Sequence, residues 1–101
     1  MALIKPGWTH GVVDLATDIT TVAPKSVVVR GFYVNTVLSA HACNISDGST
    51  AVFIIPASTA AGTLVEFAGG DGVTFKTSLI IDPDNAGTGN ITIIYRDVIN
   101  G

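Results

Sequence analysis

The stretch Val27-Val28-Val29-Arg30-Gly31-Phe32-Tyr33-Val34-Asn35-Thr36-Val37-Leu38 decides the fold class. Its β-branched and aromatic residues suit a pleated, half-buried strand. Side chains along a strand point alternately to opposite faces, so a sandwich strand normally reads apolar on one parity and polar on the other. Here one parity carries Val27, Val29, Gly31, Tyr33 and Val37, and the other carries Val28, Phe32, Val34 and Leu38. Ala51–Ile55 repeats the pattern, with Val52 and Ile54 set against Phe53 and Ile55, and Leu79-Ile80-Ile81 does so again. A chain of 101 residues has one core and little interior in which to hide two apolar faces. The expectation is that the second face meets another subunit and that the protein works by assembly.

Composition points the same way. Charged residues make up 13%, against roughly 25% in ordinary soluble domains. The good helix formers are scarce, with three Lys, two Arg, one Glu and no Gln, while 12 Val, 11 Ile and 12 Thr favour strands. Seven of the eight acids are Asp, mostly beside Gly, Pro or Asn in turn-forming contexts. The net charge of −3 and the scattered cations Lys5, Lys25, Arg30, Lys76 and Arg96 argue against nucleic acid and against a polybasic membrane anchor. No apolar run reaches the roughly 18 residues of a membrane span. Lys5, Pro6 and Gly7 interrupt any signal-peptide core, so synthesis in a reducing cytoplasm is expected, and the single Cys43 fits that compartment.

Two regions are expected. Residues 1–25 read as an extended N-terminal arm with two candidate short strands, Gly11–Leu15 and Ile19–Val22, closed by Pro24. Residues 26–101 read as the body. Its strands are Val27–Leu38, Ala42–Ile45, Ala51–Ile55, Thr63–Phe67, Val73–Phe75, Leu79–Ile81 and Asn90–Arg96. The hairpin signal Asp47-Gly48-Ser49, the segment PASTAAG, the turn GGDG at 69–72 and the loop at 82–90 separate them. A possible bend or bulge is expected at Gly31. Short strands with regular turns predict an all-β fold, a small antiparallel β-sandwich of jelly-roll-like form.

Chemistry is thin by comparison. His41 and Cys43 would share one strand face as metal ligands, but zinc needs three or four ligands and the chain has only one other His, His10. Asp82-Pro83-Asp84-Asn85-Ala86-Gly87 starts like a calcium loop but has Ala86 at the fifth position and Ile93 at the twelfth. There is no G-x-S-x-G elbow, and the acids lie in turns with Glu66 the only Glu. The glycine-rich stretches lack a following helix or Lys. No catalytic residue, metal site or cofactor is expected. Of the seven aromatics only Trp8 stands clear of a strand pattern, and it reads as the anchor of the arm. Trp8, Ile4 and Lys5 are the expected partner contacts.

Four segments, GFYVNTVLSA (31–40), ISDGS (45–49), VFIIPASTAAGTLVEF (52–67) and KTSLIIDPDNAGTGNITIIYR (76–96), cover about two-thirds of the chain. Together they resemble small virion structural proteins of tailed bacteriophages. The resemblance implies a β-sandwich in the phage particle, with capsid cement (decoration) proteins as the natural candidates. Such proteins sit on the exterior of the shell, often as trimers at three-fold or quasi-three-fold positions. It therefore implies a homo-oligomer, with the trimer expected, and the major capsid protein or another virion protein as partner. The implied location is the capsid exterior, after synthesis in the host cytoplasm. Two other readings stand beside it: a neck, tail or head-fibre component, and a small carbohydrate- or ligand-binding β-sandwich module.

Overall fold

The computed structural model describes residues 8–16, 19–83 and 87–98. Those residues form nine strands: β1 (Thr9–Asp14), β2 (Thr20–Ala23), β3 (Val27–Thr36), β4 (Cys43–Asp47), β5 (Thr50–Ile55), β6 (Leu64–Glu66), β7 (Val73–Phe75), β8 (Leu79–Pro83) and β9 (Asn90–Asp97). A 3-10 turn at Phe67–Gly70 lies between β6 and β7. The strands make two antiparallel sheets that pack as a small β-sandwich. One, sheet A, runs β1-β9-β3-β6, with β7 also on β3; the other, sheet B, runs β2-β8-β4-β5. The pairings nest. First strand pairs with last, β2 with β8, β3 with β6 and β7, and β4 with β5 through the turn at Gly48, whose φ is +60°. The chain is thus one long hairpin rolled up, and ladders β3–β9 and β4–β8 join its halves within the sheets.

The core lies between the sheets. Sheet A contributes Val13, Val27, Val29, Phe32, Val34, Phe75, Ile91 and Ile93, and sheet B contributes Cys43, Ile45, Ile55, Leu79 and Ile81. Each large apolar side chain so buried stabilises the fold by about 1.5–3 kcal/mol. Phe67 closes one side of the sandwich, stacked on Phe53 at 3.9 Å between ring centroids and edge-on to Phe32 at 6.2 Å.

The long apolar run in β3 resolves through a bulge. Register against β9 shifts between Val29 and Gly31, leaving Arg30 as the extra residue. A bulge flips the side-chain parity. Val27 and Val29 before it and Phe32 and Val34 after it therefore all reach the core, while Arg30 is only half-buried. Much of the two-faced look of this strand is one face read across a change of phase. Of the apolar residues in this run and in β5, Tyr33, Val37, Val52 and Ile54 remain outside.

The boundary between arm and body falls elsewhere than at residue 25. β1 is a full strand of sheet A, and β2 is a full strand of sheet B. Val13, Leu15 and Ala23 are core residues, and the Leu15 amide donates to the Gly89 carbonyl at 2.9 Å. From Trp8 onward the described part of this segment is built into the sandwich, because its apolar residues have strand partners and a core to fill. Residues 1–7, with the expected contacts Ile4 and Lys5, lie outside the described residues. At the other end β8 runs on to Pro83, which is buried, so the connection to β9 starts later than expected.

Candidate interaction surface

The outer face of sheet A carries an apolar row that crosses four strands. Val12 pairs with Thr92, Thr92 with Tyr33, and Tyr33 with Leu64. Directly paired residues share a face and sit side by side. Their parity is opposite to that of the buried Val13, Ile91, Phe32 and Val34, so the row points to solvent. Val12 is 67% exposed, Leu64 54% and Tyr33 40%. Between them the Thr92 hydroxyl accepts a hydrogen bond from Asn35 Nδ2 at 2.8 Å. Single exposed apolar residues are ordinary, and here three of them fall on one face of one sheet.

Polar groups border this row. The next register line holds His10, Ile94, Gly31 and Glu66. The Glu66 carboxylate accepts from Arg30 Nε at 2.9 Å and lies 2.9 Å from Arg30 Nη2. The bulge is what aims Arg30 at this partner. Beyond it the Arg30 and Arg96 guanidinium groups lie 5.5 and 4.6 Å from the centre of the Trp8 ring. Two cations on one indole face or edge, each within about 6 Å, hold Trp8 against the sheet by cation–π attraction. The expected partner contact Trp8 is thus half-buried against its own sandwich, at the rim of the apolar row. Neither Arg30 nor Arg96 was read as a binding residue from sequence. The signal was Arg30 as the polar interruption of an apolar strand.

The residues considered for chemistry are dispersed. His41 sits in a bend before β4 and Cys43 opens the strand inside the core, so the two do not share a strand face. Burial first, and the Asp82 carboxylate second, push the Cys43 thiol up to about 12, which keeps it protonated and inert at neutral pH. Among the described residues no three His, Cys, Asp or Glu side chains group as metal ligands. The same residues include no helix long and apolar enough to cross a membrane. Asp47 has a structural role beyond its turn. Its Oδ1 accepts from the amides of Thr77 at 2.8 Å and Ser78 at 3.3 Å, and its Oδ2 from the Lys76 amide at 2.9 Å. Desolvation works to raise its pKa, but these three amides and the Lys76 charge outweigh it and hold the carboxyl below its usual range. No protein-family model, no curated protein and no solved structure matches this chain.

Proposed function

We propose that this chain is a non-enzymatic structural protein of a phage particle: a capsid cement protein on the shell exterior that acts by self-association and by contact with the lattice. The observation that carries the reading is the outward row Val12, Tyr33 and Leu64, mounted on a rigid sandwich and rimmed by Trp8, Arg30 and Arg96. Aromatic residues and Arg are the types enriched where proteins meet. The nested strand pairing supports a jelly-roll reading, an architecture found in capsid proteins and also in lectins and cupins, so the fold alone does not choose among them. The resemblance of residues 31–96 to phage virion proteins is what favours the virion reading among them.

The mechanism is mass action. A protein that binds only the assembled shell stabilises it by its binding free energy, and a closed oligomer, a trimer at three-fold positions, multiplies weak contacts through effective concentration. The test is thermal melting of purified shells of the phage that encodes the chain, with the chain stripped off and then added back. The expected result is a higher melting temperature with wild type and none with Leu64→Lys, whose side chain is exposed and so leaves the fold intact. A shell whose melting is unmoved by added wild type overturns the cement reading, and labelled chain seen only at the neck or tail turns it into the second virion reading.

A further inference from the structure

We propose that Arg96 is the seat for an acidic side chain, Asp or Glu, of the shell protein. This rests on the proposed function and names the chemistry of its lattice contact.

Two arginines share one indole in this fold. Arg30 Cζ lies 5.5 Å and Arg96 Cζ 4.6 Å from the centre of the Trp8 ring. Arg30 already holds an anion, since Glu66 Oε2 sits 2.9 Å from both its Nε and its Nη2. A guanidinium at this indole thus receives a carboxylate without leaving the ring. Arg96 repeats the arrangement on the neighbouring strand, closer to the ring and without the acid. Among the described residues Lys25 pairs with Asp97 and Arg30 with Glu66, and no carboxylate lies at ion-pair distance from Arg96.

The position suits a docking contact. Arg96 has the parity of Thr92 along β9, opposite to the buried Ile91 and Ile93. It therefore stands on the outer face that carries Val12, Tyr33 and Leu64. A half-buried guanidinium held by an indole has lost much of its rotamer freedom before a partner arrives, so binding has less to order.

Charge selects the occupant. A guanidinium has five donors and no acceptor, and a carboxylate matches its fork with two bonds. Glu66 on Arg30 is the filled example of that match. Most of the chain's own described acids are engaged: Asp14 accepts from the Ala16 amide, Asp47 from three amides, and Glu66 and Asp97 are in ion pairs. The shell is accordingly a better source of the acid than a second copy. The apolar row then supplies contact area, and the Arg96 pair beside it sets the register of docking.

The test is the affinity of the purified chain for stripped shells in rising NaCl, for wild type, Arg96→Gln and Arg96→Lys. Arg96 is outside the core, and thermal melting of each free variant checks that it folds. Arg96→Gln is expected to bind about tenfold more weakly, the loss of a charge-assisted hydrogen bond, with a shallower dependence on salt. Arg96→Lys keeps the charge without the planar fork and should fall between the two. Equal affinity and salt dependence in wild type and Arg96→Gln overturn the inference and leave the cement reading standing. Wild-type affinity indifferent to salt overturns it without recourse to a variant. A wild type that fails to bind shells overturns the cement reading, and the shell acid with it. Light scattering separates the other source of acid: an oligomer that dissociates in Arg96→Gln, with shell affinity per subunit unchanged, places the acid on a second copy and overturns the assignment to the shell.

Discussion

Asp47 shows how much one side chain can organise. As the first residue of Asp47-Gly48-Ser49 it belongs to the hairpin between β4 and β5, yet its carboxylate reaches 29 to 31 residues along the chain to cap the turn between β7 and β8. Three amides on one carboxylate are charge-assisted hydrogen bonds, worth more than neutral ones but screened at this solvated position. Asp47→Asn is expected to cost about 1 kcal/mol at neutral pH, below the range for hydrogen bonds to a charged group because solvent screens this position. The pH dependence follows from the lowered pKa. The folded carboxyl ionises below an aspartate's ordinary value, so its contribution is present above that ordinary value and is lost as pH falls through the folded pKa. The urea midpoints of wild type and Asp47→Asn should therefore differ at neutral pH and converge in acid. The turn was legible in the sequence. The cap was not, because it joins residues far apart along the chain.

At the scale of elements, strand positions were read well because they rest on local composition. Val73–Phe75 was placed to the residue, and most other strands differ from expectation by one or two positions at an end. What composition concealed was phase. The bend or bulge expected at Gly31 is a bulge whose extra residue is its neighbour Arg30, and Gly31 has a further task. A Cβ on Gly31 would lie 2.0 Å from the Val65 carbonyl oxygen, so glycine is what lets β6 approach β3 this closely. The colliding atom is backbone and cannot rotate away. Gly31→Ala is expected to destabilise by about 1–3 kcal/mol, the range for overpacking a filled site. Its urea midpoint should fall while the m-value stays constant, since the surface buried on folding is unchanged. The outward apolar row has the same origin in phase: Tyr33 faces solvent because the bulge turned Phe32 and Val34 inward.

For the whole molecule the decisive feature is that the first two described strands pair with the last two and close the sandwich. Thr9 pairs with Tyr95, and Thr20 with Ile81. Removing residues 1–25 would strip both strands, uncover Ile91 and Ile93 along one border and Leu79 and Ile81 along the other, and take Val13, Leu15 and Ala23 out of the core. A truncated chain of residues 26–101 is expected to lose cooperative unfolding, read by thermal melting of the circular dichroism signal. A sharp transition close to that of the full chain would show that β1 and β2 are dispensable. The sequence by itself determined the all-β class, the turns and nearly every strand, since each follows from residue type and near neighbours. Tertiary structure alone decided which strands share a sheet, which parity of β3 meets the core and where Trp8 docks. Those depend on pairing between residues remote in sequence, where burial of shared apolar surface outweighs any local preference.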